Sequence, residues 1–321
     1  MSIRTPERED RPVSIPPAPA EEAAAGNAEH KPERKKREPR RAKRPTGKAT
    51  VIIAVLASIA GLALWFEFYS LVLTPFQEHG NQVRLYDAFR LQLAEATAPT
   101  GGAIASGAPV ALIDAPGMHD LVVVEGTTSA NLMQGPGHER DTPLPGQQGT
   151  SVIDGRSVTF GAPFRSLSHL AAGDVMDVTT SQGQFVFRVD RVRGPGDPAP
   201  APASDAAGLT LVTAASSGWR SGWAPDHAMF VDATLTGAEP VTTPAGRPTT
   251  IAENERLMAG DDTARLVGLF WLEAIGLVAA GILWARRRWG PWQTWIVGVP
   301  LAVAVLWGAS GILSRLLPNL I

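Results

Sequence analysis

Three apolar runs dominate the hydropathy pattern: Thr50–Leu73, Leu266–Ala285 and Trp292–Leu313. As helices, each is long enough to cross a hydrocarbon core of about 30 Å. Glu67 is the one charge in the first run, and Trp65, Phe66, Phe68 and Tyr69 gather beside it like an interfacial aromatic belt. Between the first and second runs the pattern shortens and alternates. Strands are predicted at Pro109–Asp114, Leu121–Glu125, Ser151–Asp154, Val175–Thr180, Gln184–Val192, Leu209–Thr213 and Met229–Leu235. Val175–Thr180 and Gln184–Val192 flank a Gln182-Gly183 turn, the mark of a hairpin with one buried face per strand. Short strands separated by turn residues predict an all-β barrel or sandwich. Thr128–Gln134 and Phe164–Leu170 are sized for single helical turns, and Pro75–Ala98 carries an imperfect helical stripe at Val83, Leu85, Phe89, Leu91 and Leu93.

The polar stretches divide the chain. Residues 1–48 form a basic tail with almost no large apolar side chains, expected to be disordered because it cannot offset its ordering entropy. Residues 49–73 are read as a first transmembrane helix and 74–107 as a juxtamembrane helix and linker. Residues 108–236 form the β domain and 237–264 a second linker. Residues 265–285 and 291–314 are read as two further transmembrane helices. The basic run Lys31–Lys48 reads as a cytoplasmic flank rather than a nucleic-acid patch, because it abuts an apolar span. It is too long for a signal-peptide n-region, and no small-residue cleavage pattern follows, so an uncleaved anchor is expected. Arg286, Arg287 and Arg288 lie between the last two spans. Keeping both basic clusters inside gives one topology: N-terminus cytoplasmic, β domain extracytoplasmic, arginine turn cytoplasmic and C-terminus outside. Glu273 falls within the second span, in its outer third or facing another helix.

The 321 residues carry a formal charge of −2 and no cysteine, which excludes disulfides, thiol nucleophiles and thiolate metal sites. That absence bears directly on three segments of the β domain. They are "LVVVEGTTSANLMQGPGHERDTPLPG" from Leu121, "TSVIDGRSVTFGAPFRSLSHL" from Thr150 and "LTLVTAASS" from Leu209. Together they resemble the sortases, cysteine transpeptidases that join surface proteins to the bacterial cell wall. Sortases read roughly "VIAGHRTTYGAPF" in the second segment and "TLxTC" in the third. The resemblance implies a closed barrel of seven to eight strands with short helices. It places the family's catalytic His at Arg156, its Cys at Ala214 and its Arg near Ala228. It also places a substrate groove between the strands near Gln184–Val192 and Leu209–Ala214, with the Pro/Ala loop Gly194–Gly208 beside it.

The chemistry implied by the family needs a thiolate nucleophile, a proton donor for the leaving amine and a cation for the oxyanion. Ala214 supplies no nucleophile, and Arg156 stays protonated near neutral pH, so it cannot serve as a base for Ser216 or Ser217. His119, His138, His169 and His227 are read as structural or exposed, with His227 nearest the expected Arg position. Arg156 either pairs with Asp154, the favoured reading, or offers a clamp for a carboxylate or phosphate. Trp219, Arg220 and Trp223 follow Ala214 in a loop that either lines the groove mouth or packs over the barrel end. Arg156, Ser216, Ser217, Trp219, Arg220, Trp223 and His227 are therefore the candidate groove residues. No metal ligand set and no cofactor are expected.

The resulting expectation is a membrane-anchored pseudosortase that binds a surface-protein sorting signal or a cell-envelope partner without cleaving it, and binds no nucleic acid. An active transpeptidase using a serine, and an assembly subunit acting through its membrane helices, are the alternatives. The Ala/Gly/Pro/Arg-rich composition suggests a Gram-positive, high-GC actinobacterium.

Overall fold

The alternating runs become a closed barrel because each strand has one apolar face to hide and two edges to pair. The computed structural model describes residues 47–200, 205–216, 225 and 227–321. Eight strands are present: β1 Pro109–Ala115, β2 Met118–Glu125, β3 Gly137–His138, β4 Gly149–Asp154, β5 Val175–Thr180, β6 Gly183–Arg193, β7 Ala207–Ala215 and β8 His227–Thr236. They close in the order β1-β2-β3-β4-β7-β8-β6-β5. Pairs β2–β3 and β4–β7 are parallel and the rest antiparallel. The interior holds Ile113, Val123, Ile153, Met176, Phe187, Leu209 and Val231, all essentially removed from water.

The order corrects one expectation. β6 and β7 are not neighbours, because β8 lies between them and pairs with both. No groove can therefore lie directly between β6 and β7. The strand that neighbours β7 on its other edge is β4.

Outside the barrel, α1 (Gly47–Phe68) passes through a π-helical turn at Tyr69–Leu73 into α2 (Thr74–Ala94), giving one helical stretch of 48 residues. α4 (Ala264–Arg288) and α5 (Pro291–Leu316) form an antiparallel pair, turned at Gly290 with φ +98°. That left-handed backbone suits glycine. Three helices, Gly47–Ala94, Ala264–Arg288 and Pro291–Leu316, are long and apolar enough to cross a membrane. The first helix packs on α5: Trp65 Nε1 donates to Ser310 Oγ at 3.1 Å, and the Tyr69 ring meets Trp307 edge-on at 5.6 Å. Glu273 is exposed on α4 rather than packed against a neighbouring helix of the chain.

α2 then docks on the barrel through polar groups. Gln82 bonds the backbone of β2 and of the loop before β3: Val122 N–H donates to its Oε1, and its Nε2 donates to Val122 and Gln134 carbonyls. Thr74 Oγ1 accepts from Phe160 N–H at 2.8 Å. Buried backbone groups need such partners, so the barrel is fixed to the helix rather than hung from a free tether.

Candidate functional site

The loop that follows β4 carries Arg156. It leaves the strand through Gly155, whose N–H donates to Val212 O and whose carbonyl accepts from Thr213 Oγ1 at 2.7 Å. A side chain at Gly155 would meet the Phe164 ring at 2.3 Å, so only glycine lets the loop fold this closely over the sheet. Phe160 and Ala162 both take left-handed backbone, φ +49° and +48°. This tight path turns Arg156 inward.

Arg156 is the largest fully buried side chain among the described residues. One terminal nitrogen donates to Thr159 Oγ1 at 3.1 Å and to the Ile321 backbone oxygen at 2.5 Å. The other donates to Ser129 Oγ at 2.8 Å and to Ser129 O at 3.2 Å. The guanidinium also lies 5.0 Å from the Phe160 ring centroid. Ser129 begins α3 (Ser129–Leu132), a single turn capped by Thr128. Burial lowers the Arg156 pKa to about 9, which still leaves it cationic at neutral pH.

The favoured pairing of Arg156 with Asp154 is not what forms. The strand sends Asp154 to the outer face of β4 beside Val152, and Arg156, two residues on, turns to hydroxyls and carbonyls instead. Asp154 is fully buried, and neither carboxylate oxygen has a partner among the described residues. Burial, with Glu139 nearby, pushes its pKa well above the usual carboxylate range. Burial, then Asp141, raises Glu139 to about 7, partly offset by His138. Nor is Arg156 an open clamp for an added anion, since both terminal nitrogens are engaged by the chain's own oxygens.

Those oxygens come partly from an unexpected segment. Leu317–Ile321, after α5, runs back onto the outer face of the barrel. Leu320 is completely buried in a cluster with Leu132, Val212 and Ala214, edged by Val152, Ala228 and Phe230. Its carbonyl accepts from Ser157 N–H at 3.1 Å. Asn319 Nδ2 donates to Thr127 O at 2.9 Å and Arg256 O at 3.1 Å, and Asn319 N–H to Ala259 O at 2.9 Å.

The structure brings Arg156, Ala214 and Ala228 to one end of the sheet. Ala214 pairs directly with Ala228 across β7 and β8, and Leu320 covers Ala214. Ser216 lies just beyond β7 and lines a 240 Å³ cavity with Ser157, Arg165, His169 and Ala214. His227 opens β8 opposite Ala215. Ser217, Trp219, Arg220 and Trp223 lie outside the described residues. His138 sits in β3, buried, with Nδ1 2.9 Å from Glu125 Oε2 and Nε2 3.0 Å from Pro143 O, so it braces the barrel. A second cleft of about 510 Å³ continues along the same outer face, lined by Thr150, Val152, Val212, Phe230, Arg193 and Arg247 among others. Ser129, Thr159, Asn319 and Leu320 were not foreseen. The only sequence signal for them is the Pro318-Asn319 break after an apolar helix.

Residues 113–219 match the family model described as "Sortase domain". The matched stretch begins in β1 and runs past the end of β7. The sortase D of Bacillus subtilis (strain 168) is 31% identical over 74 residues, covering 23% of this chain and 36% of that protein. The chain thus spans about a third of the length of this curated relative. Among solved structures, a sortase D5 transpeptidase from Clostridium perfringens aligns with TM-score 0.41 at 23% identity, covering 49% of this chain and 99% of its own. The SrtF sortase from Corynebacterium diphtheriae aligns with TM-score 0.37 at 25% identity, covering 44% and 93%.

Proposed function

We propose that the chain is a membrane-anchored pseudosortase: a sortase domain that holds an extended peptide or cell-envelope segment without cutting it. The observation that carries this is Arg156. At the position where the resemblance puts the acid–base His stands a buried cation saturated by Ser129, Thr159 and Ile321 oxygens. Where it puts the Cys stands Ala214, and no thiol exists anywhere in the chain. A site without a nucleophile, with its acid–base position locked, retains only its shape and its hydrogen-bonding groups.

The anchoring is a three-pass arrangement with the barrel extracytoplasmic and the N-terminus and Arg286–Arg288 cytoplasmic. Supporting it, the barrel-side contacts gather at one end of the helix pair: Asp261 N–H donates to Arg315 O, and Asn319 reaches Thr127. The arginine turn is at the other end.

The test is turnover. Full-length protein in detergent is incubated with a fluorogenic sorting-signal peptide and an amine acceptor, beside an active sortase. We expect none, and none either for Arg156→His with Ala214→Cys, because no arginine is restored near Ala228 and Leu320 packs against position 214. Wild-type turnover that disappears with Ser216→Ala or Ser217→Ala overturns the reading. One observation favours the assembly alternative: Glu273 is an exposed carboxylate in an apolar helix, and such groups seek partners inside the bilayer. Crosslinks from the 273 position to another membrane protein, with none from the barrel, would support it.

A further inference from the structure

We propose that Leu317–Ile321 is a displaceable intramolecular ligand, and that the cleft over β4, β7 and β8 binds in its place a short peptide with a leucine anchor and a hydrogen-bond donor for Asp154. This rests on the non-catalytic peptide-binding reading above and names its ligand.

Several observations converge. The segment is held as a ligand is held, not as a strand. Leu317 is extended, with φ −73° and ψ 156°, and Pro318–Ile321 then closes a turn, Ile321 N–H donating to Pro318 O at 3.2 Å, so that Asn319, Leu320 and Ile321 join no ladder of the barrel. One apolar side chain, Leu320, fills a pocket made by Leu132, Val212 and Ala214. Around it the contacts are to loop atoms: Ser157 N–H, Thr127 O, Arg256 O and the Arg156 guanidinium. A single anchor in an apolar pocket, flanked by hydrogen bonds, is how short peptides are recognised.

The fit is incomplete in a way that points to another occupant. Asp154 lies on the same outer face, its backbone paired to Val212 beneath the leucine pocket. It is fully buried and both oxygens lack partners; Asn319 Oδ1 and Arg156 Nε are also unpaired among the described residues. A buried polar group without a partner costs about 1–3 kcal/mol. A ligand that presents an N–H or O–H to Asp154 recovers what the tail forgoes. There is also room for more chain: the 510 Å³ cleft begins at Val152, Val212 and Phe230, the residues that edge the Leu320 pocket, and runs on to Thr150 and Arg193. The tail therefore covers one end of a longer trough.

A tethered segment competes at an effective concentration of about millimolar, so a peptide of micromolar affinity meets a cleft already filled. Removing the anchor should reveal the site. The experiment uses full-length protein in lipid nanodiscs and a fluorescein-labelled peptide with the sequence of Leu316–Ile321. Wild type should bind it weakly. Leu320→Asp should bind it at least about 10-fold more tightly, as expected for loss of a cis competitor. Adding Arg156→Ala to Leu320→Asp should remove that gain. Leu320→Ala is measured in parallel and should fall between, so the result does not depend on one variant folding. Equal affinity in wild type and both variants overturns the proposal, as does no binding by either variant up to millimolar peptide. A fluorogenic sorting-signal peptide run alongside separates the two readings. Its cleavage would remove the non-catalytic reading and leave the displaceable tail standing. Tail-peptide binding without sorting-peptide binding would keep the cis ligand and exclude the foreign signal.

Discussion

Two arginines on the same outer face of the barrel have opposite fates. Arg193, at the end of β6, is largely covered, its side chain 12% exposed. It pairs with Asp232 at 2.8 Å, lies 4.0 Å over the Phe230 ring and borders the open cleft. Arg156 pairs with no Asp or Glu among the described residues and meets no solvent, and is held by oxygens from three separate parts of the chain. The first arginine is a groove wall. The second is a joint between the barrel, α3 and the segment after α5. A cation taken wholly out of water persists only where its hydrogen bonds are nearly all made. The Arg156 end is therefore built for fit, and the Arg193 end for access.

Breaking the joint should have the largest effect. Arg156→Ala leaves Ser129, Thr159 and Ile321 oxygens without their donor, each at about 1–3 kcal/mol, and should cost about 3–5 kcal/mol in all, read as a fall in barrel unfolding temperature. A loss no larger than that of Arg193→Ala would erase the contrast. Leu320→Ala empties the apolar half of the joint and should cost about 2–4 kcal/mol by the same measurement. Arg193→Ala, which removes a charge-assisted bond to Asp232, should cost about 1–2 kcal/mol. Arg191→Ala should be near neutral, within about 0.5 kcal/mol, since Arg191 is half exposed and Asp232 keeps Arg193 and Thr210.

The buried acids sharpen the contrast through pH. Glu139 rises from 4.5 to about 7 in the folded state, and Asp154 is also raised. Both bind protons more tightly folded than unfolded, so stability falls as pH rises from near 4 through 7. Wild type should therefore unfold at a lower temperature at pH 8 than at pH 5, and Asp154→Asn should flatten that slope. A slope unchanged by Asp154→Asn would mean that burial does not raise the pKa of the Asp154 carboxyl.

Much of the barrel was legible because alternation and turn residues are local. Val175–Thr180 matches β5, and the other six predicted strands differ from the observed ones only at their ends. β3, two residues long, carries no period to read. The site was legible only as substitutions at Arg156 and Ala214. What Arg156 does instead depends on Ser129 and Ile321, 27 and 165 residues away. Leu320 was hidden for a simpler reason: Leu316, Leu317, Leu320 and Ile321 extend an apolar run and look like the frayed end of a span. The same run that reads as membrane supplies the barrel's outer pocket.

The π-helical turn at Tyr69–Leu73 sets the phase between two packing surfaces. Trp65 and Tyr69 face α5, while Thr74 and Gln82 reach the barrel and Glu78 is buried between them in sequence. Their spacing is four, five, four and four residues, and the single step of five falls on the wide turn. Each residue of an α-helix advances the side chains by about 100°. Deleting one residue between Tyr69 and Thr74 would make every step four residues and let a regular helix keep both surfaces in phase, whereas straightening the turn at its present length would rotate one surface by about 100°. The chain should thus tolerate loss of one residue in this turn better than gain of one.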